Sequence, residues 1–227
     1  MREIIFDTET TGLDPKSGDR MVEIGCIEMI NRVPTGNTYH AYFNPQRSMP
    51  AEAEAIHGLS DTFLADKPLF GACAQDFLDF IADSPMIAHN ASFDFGFINT
   101  ELTLCGLPEV DRARMVDTVA LARVRHPGAK LSLDALCSRY GIDRSHRTRH
   151  GALLDAELLA QVYVELRGGR QIGLELGADA LVVARDTKII VVRERPFRAP
   201  RPHAAHAGEL AAHAAFLDTV SAPLWRA

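Results

Sequence analysis

No stretch of this 227-residue sequence approaches the roughly 18 consecutive apolar residues that a membrane-crossing helix needs. The opening MREIIFDTET also lacks the basic region and apolar run of a secretory leader, so a soluble, cytoplasmic protein is expected. Cysteine is scarce. Cys26, Cys73, Cys105 and Cys137 stand far apart, with no C-x-x-C pair and no tight His cluster to suggest structural zinc, and reduced core thiols are expected. An excess of positive charge is missing too. The formal charge is -6, which argues against a protein that holds nucleic acid by coating it with lysine and arginine. It leaves open an acidic site that meets phosphate through bound cations.

What is present suits one packed domain with an appendage. Hydrophobic residues make up 47% of the chain, enough for a domain of about 150 to 200 residues. EIIF before Asp7 has the look of a buried strand. MVEIGCIEMI and NTYHAYFNP follow as two more, with the turn-prone NRVPTGN between them predicting a hairpin. PMIAHN and ARMVD supply the fourth and fifth strands. Helical spacing marks the segments around 50–56, 68–81 and 93–105, then VALARVR, SLDALCSRY and ALLDAELLAQVYVEL. Three antiparallel strands followed by two that return through helices imply an α/β fold with a mixed five-stranded sheet.

The character changes after Gly168 and Gly169, which sets an expected domain over 1–170. Beyond it, LVVA and KIIVV form a candidate small hairpin, RPFRAPRPHAAH a proline-bearing linker, and GELAAHAAFLDTV a short amphipathic helix. The negative charge belongs to the first part: residues 171–227 hold seven Lys and Arg against six Asp and Glu.

Four carboxylates stand out. Asp7 and Glu9, in FDTETTG, are two residues apart on an extended chain and so face the same way at a strand's C-terminal end. A turn-starting Asp7 with a solvated Glu9 fits that pair equally well. Asp94, in NASFDFGF, falls in the first turn of a helix, where the dipole favours a carboxylate; a cap-like role competes, although Phe93, Phe95 and Phe97 argue against a solvated position. Asp155 lies in a helix that is apolar almost all round, and an unpaired carboxylate there is costly. His150, five residues earlier, would be about 140° away on a helix, so it reaches Asp155 only from the loop ahead. Arg144, Arg147 and Arg149 in that loop fit a solvated segment better than a phosphate clamp. Brought together without a cation, the four carboxylates would repel one another, and such hard oxygen ligands suit Mg²⁺ or Mn²⁺.

The three motifs, D-x-E, N-x-x-x-D and H-x-x-x-x-D, resemble those of the DEDDh 3′–5′ exonucleases. FDTETTG, VEIG, IHGLSD, IAHNASFDFGF, SLDALCSRYGID and HGALLDAELLAQVY, in that order, resemble more closely the proofreading subunits of bacterial DNA polymerase III. The resemblance implies a ribonuclease H-like fold and two divalent metal ions. Asp7 would contact both, Glu9 and Asp155 one, and Asp94 the other. His150 would be the general base that takes a proton from the attacking water, in keeping with a side chain that titrates near working pH. Glu52 and His57 match positions that contact the terminal nucleotide, though Glu52 also suits a plain exposed helix residue. Gly12 and Leu13 would approach the terminal sugar and base together with Asp7, Glu9 and Asp155. Asn90 is expected to order its loop and not to touch substrate.

The same resemblance extends to the tail. QIGLEL over 171–176 matches a sliding-clamp-binding pattern through Gln171, Leu174 and Leu176, a pattern short enough to arise by chance. Residues 177–227 would form a polymerase-binding tail. Leu210, Phe216, Leu217, Val220, Leu224 and Trp225 are too few for a core of their own and would be exposed in an isolated chain. They either fold back on the domain or dock on a partner, for which the catalytic (alpha) polymerase subunit is expected through Phe216, Leu217, Leu224 and Trp225. The expected activity is excision of mismatched 3′-terminal nucleotides of DNA. The alternatives are an RNA-trimming relative and a non-catalytic subunit that braces a polymerase.

Overall fold

The computed structural model describes residues 1–145, 147, 150–169 and 204–221. The chain divides into two compact units, Met1–Leu176 and Gly177–Ala227. The first is built on five strands: β1 (Arg2–Thr10), β2 (Met21–Ile30), β3 (Val33–Tyr42), β4 (Met86–Ala88) and β5 (Met115–Asp117). Their order across the sheet is β3-β2-β1-β4-β5, with β1, β2 and β3 antiparallel and β4 and β5 parallel to β1. The expected mixed sheet is therefore present, and β1, which carries Asp7 and Glu9, lies at its centre.

The hairpin is tighter than the sequence suggested. Ile30 pairs with Val33, which leaves only Asn31 and Arg32 as the loop, at φ 51° and 66°. Two left-handed residues match the right-handed twist of the flanking strands. Pro34 and Gly36 thus belong to β3, where they are tolerated because an edge strand needs its ladder on one side only.

The helices are α1 (Ala51–His57), α2 (Asp61–Leu64), α3 (Phe70–Ile81), α4 (Ala91–Leu104), α5 (Thr118–Arg125), α6 (Leu133–Tyr140) and α7 (Ala152–Leu166) in the first unit, with α8 (Ala207–Leu217) in the second. Only α2 was unexpected. Its signal is Ser60, whose hydroxyl accepts from the Phe63 amide in the manner of an N-cap. The alternation of β1 divides the core. Ile4 and Phe6 pack with Phe77 and Ile81 of α3 and Phe95 of α4, whereas Ile5 packs with Ala156, Leu159 and Tyr163 of α7. The far side of α7 presents Leu158, Val162 and Leu166 to Ala122 of α5 and Leu136 of α6. A helix clamped between a sheet and two other helices must be apolar nearly all round, which accounts for its composition.

Two expectations need amendment. Cys105 is exposed, unlike buried Cys26 and Cys137, so the thiols are not uniformly core residues. In the second unit Leu217 is buried while Leu210 and Phe216 are 57% and 61% exposed. Neighbouring helix positions point about 100° apart, so Phe216 and Leu217 do not share a face. The hairpin strands expected in the tail, the clamp motif with Gln171, Leu174 and Leu176, and the terminal Leu224 and Trp225 lie outside the described residues. No helix among the described residues is long and apolar enough to cross a membrane.

Candidate active site

Position on β1 aims the first two carboxylates. Asp7 and Glu9 follow Ile5 on the face that meets α7, opposite Gly25 and Glu23 of β2. Thr8 points the other way, toward α4, and its hydroxyl donates to Asp94 Oδ1 at 2.7 Å. Asp94 sits in the first turn of α4, buried, and is oriented toward β1 instead of capping its helix. Asn90, at φ 65°, starts that helix, and its backbone N–H donates to Asp117 Oδ1 at 3.0 Å.

The third segment arrives through a close approach. A Cβ on Gly25 would lie 2.3 Å from Leu153 Cα and 2.3 Å from its nitrogen. Only glycine lets the first turn of α7 rest on β2, and this contact sets Asp155 beside β1. Gly151 is the N-cap residue, so His150 lies in the loop ahead of α7, as the spacing required. Its amide donates to Ile56 O of α1 at 3.3 Å, and its Nδ1 is 3.2 Å from Asp155 Oδ2. Among the described residues, Glu9, His150 and Asp155 form a group whose ligand atoms lie within 4.8 Å of one another.

The electrostatics report a site short of positive charge. Burial, then Asp94, Glu9 and Asp155, hold the Asp7 carboxyl well above its ordinary range. Burial and Glu23 push Glu9 up to about 8, and burial pushes Asp94 up to about 7 against the lowering pull of its Thr8 hydrogen bond. Crowded oxygen donors that resist ionisation are what a divalent cation would relieve, so the donor set fits a hard metal.

Two clefts meet at β1. A cleft of about 290 Å³ is lined by Asp7, Glu9, His89, Arg147, His150 and Asp155. A neighbouring one of about 510 Å³ runs past Glu9, Gly12, Leu13, Glu52, His57 and Phe93. Leu13 is 84% exposed at its edge. Glu52 is exposed on α1, whereas His57 is buried with Nδ1 accepting from the Leu59 amide and Nε2 lacking a hydrogen-bond partner. Burial lowers the His57 pKa, and an Nδ1 that accepts leaves the ring proton on Nε2.

Arg147 departs most from expectation. Its side chain is only 10% exposed, and its Nε and Nη2 donate to the two oxygens of Asp155 at 2.5 and 2.7 Å. Nη1 reaches Asp134 at 2.8 Å, and Nη2 donates to His150 Nδ1 at 2.7 Å. The loop arginines are therefore not uniformly solvated. Arg144 pairs with Asp134 at 2.9 Å on the rim, and Arg149 lies outside the described residues. The signal for Arg147 was the buried Asp155 itself, which needs a cation that the neighbouring loop supplies. Gly25 and Asp134 were also missed, since each acts through a contact distant in sequence; Phe93, singled out only for its apolar character, lines the second cleft.

Comparisons with known proteins establish the family. The family model described as Exonuclease matches residues 4–163. The chain is 54% identical over 186 residues to DNA polymerase III subunit epsilon of Rickettsia conorii, covering 81% of each chain. It is 42% identical to the same subunit of Salmonella typhimurium, covering 100% of this chain and 98% of that one. The chain belongs to the epsilon family of exonucleases. A solved structure of Exonuclease X with 5′ overhanging duplex DNA superposes at TM-score 0.55 and 28% identity, covering 72% of this chain and 89% of that one. The nuclease domain of 3′hExo, a DEDDh member bound to rAMP, reaches TM-score 0.63 at 15% identity over 73% and 91%, a likeness of fold. As a member of the epsilon family, the chain is a metal-dependent 3′–5′ exonuclease.

Proposed function

We propose that the chain removes mispaired 3′-terminal nucleotides from DNA, with Asp7, Glu9, Asp94 and Asp155 holding two divalent ions, Mg²⁺ or Mn²⁺. The observation that carries this reading is the set of three separate segments whose carboxylates crowd until Glu9 is pushed up to about 8. When bound, the ions neutralise the phosphate and stabilise the attacking and leaving oxygens of the displacement. His150 stands at the rim of the cleft, 46% exposed, where its imidazole can take the proton of the attacking water. Thr8 keeps Asp94 aimed at the site, and the Ile56 carbonyl anchors the backbone of His150.

The adjoining cleft receives the terminal nucleotide. Leu13 and Phe93 offer apolar contact to its base and sugar, backbone at Gly12 allows close approach, and Glu52 and His57 supply polar contacts. A single nucleotide fits there only after leaving its duplex, and a mismatched end frays at lower cost, which favours it as substrate. The acidic domain offers little electrostatic affinity of its own. That deficit supports a division of labour in which residues 1–170 carry the exonuclease, 171–176 bind a sliding clamp, and 177–227 bind the alpha subunit of the polymerase. The exposed Leu210 and Phe216 on α8 are in keeping with such docking.

The test is excision from a primer by the purified chain with Mg²⁺. A mismatched 3′ nucleotide should be released faster than a paired one, and DNA faster than RNA of the same sequence. Equal rates for matched and mismatched ends, or faster loss of RNA, would remove the proofreading assignment.

A further inference from the structure

The guanidinium of Arg147 occupies every group that the third motif contributes. It takes both oxygens of Asp155, at 2.5 and 2.7 Å. It also donates to His150 Nδ1 at 2.7 Å. A guanidinium can only donate, so Nδ1 must accept, and in a neutral ring the remaining proton then sits on Nε2. In this arrangement the lone pair of the imidazole is taken, and each oxygen of Asp155 already accepts one charge-assisted hydrogen bond. Arg147 thus competes with a proton for the base and with a metal ion for the ligand while it stays in place.

A second partner gives Arg147 somewhere to remain if it lets go. Nη1 is bound to Asp134 at 2.8 Å, in the first turn of α6, and that carboxylate is half exposed. Asp134 lies outside the crowded group around Asp7, at the edge of the same cleft. The arginine thus spans an inner carboxylate and an outer one.

We propose that Arg147 is a resident cation that stands in for the metal at Asp155: it stabilises the metal-free site and shields His150, and on metal binding it withdraws to Asp134 and uncovers both. The proposal rests on the reading that Asp155 is a metal ligand. A guanidinium and a divalent ion on the same two oxygens repel each other, and that repulsion favours the exchange once that reading is granted. Asp134 keeps the displaced guanidinium within one side chain's reach, ready to return. Arg147 is in this sense a positioning residue, since it acts on His150 and Asp155 and need not touch substrate.

Mn²⁺ titration of the full chain, followed by calorimetry after chelator treatment, separates the outcomes without using activity. Arg147→Ala removes the competitor, so its Mn²⁺ affinity should rise roughly three- to tenfold above the parent, the scale of one lost charge-assisted contact. Asp134→Asn removes the resting place, so affinity should fall by a similar factor. The double variant should match Arg147→Ala, because Asp134 acts through the arginine. Arg147→Lys keeps the charge without the two-point grip and should fall between parent and alanine. A purely structural role for Arg147 would weaken Mn²⁺ binding in Arg147→Ala, and a direct charge effect of Asp134 would persist in the double; either result overturns the exchange. If Arg147→Ala does not fold, the lysine and asparagine variants still carry the test. A parent chain that binds no Mn²⁺, or an Asp7→Ala chain that binds it as tightly as the parent, would overturn the metal-site reading and the exchange together. Tight parental binding with no gain in the Arg147 variants would overturn the exchange alone.

Discussion

Gly25 of β2 and Leu153 of α7 touch so closely that a single added methyl would place carbon 2.3 Å from Leu153 Cα. The obstacle is backbone, which cannot swing aside like the end of a side chain. Two residues farther along α7 is Asp155. Gly25→Ala should therefore lift the start of α7, lower stability by about 1–3 kcal/mol as overpacking does, and separate Asp155 from Glu9. Urea unfolding measures the first effect and exonuclease rate the second. A variant with parental stability and rate would mean that the helix seats itself by other contacts.

His150 makes a cleaner target, because its partly exposed ring contributes little to the core. His150→Ala should lower the single-turnover excision rate by about 10²–10⁴-fold while circular dichroism stays unchanged. Asp7→Ala, placed among four interacting carboxylates, should abolish the reaction. Parental turnover in the histidine variant would reassign the base.

Stability of the metal-free chain should depend on pH with a definite sign. Glu9 is raised from 4.5 to about 8 and Asp94 from 3.8 to about 7. Both folded values exceed the unfolded ones, so the native chain holds extra protons across this interval. Their stabilising contribution is complete below the unfolded values and is lost as pH rises through about 8. His57 is shifted downward and acts in the opposite sense below its unfolded value of 6.5. Melting temperatures between about pH 6.5 and 8.5 should thus fall in chelator and stay nearly level with saturating Mn²⁺. A flat profile in chelator would show that these carboxylates ionise as they do in water.

Truncation addresses the second unit. A chain lacking residues 177–227 should keep its exonuclease rate and fail to co-purify with the polymerase alpha subunit. Continued co-purification would move the docking surface onto the first unit.

Much of the fold was readable because its signals are local. The alternation in β1, the period of α3 and the continuous apolar character of α7 each reflect one face, or all faces, of a single element. The D-x-E pair and the loop placement of His150 follow from strand and helix periods alone. What could not be read depends on pairs distant in sequence. Gly25 shows its purpose only against Leu153, and Thr8 only against Asp94. Arg147 in isolation looks like one of three loop arginines; Asp134 and Asp155, arriving from two different helices, turn it into a buried cation. The two-residue hairpin was hidden for a different reason, since Pro34 and Gly36 look like turn residues until the strand is known to be an edge.

The alternation of β1 has one more effect. Successive residues serve opposite sides of the sheet, so a slip of one position against β2 would bury Asp7 and Glu9 among the phenylalanines and turn Phe6 toward α7. No chain misaligned in this way can retain a partial site, because the slip that misplaces the core misplaces both carboxylates at once. Nuclease activity thus reports correct strand pairing, and a misfolded copy is unable to degrade DNA.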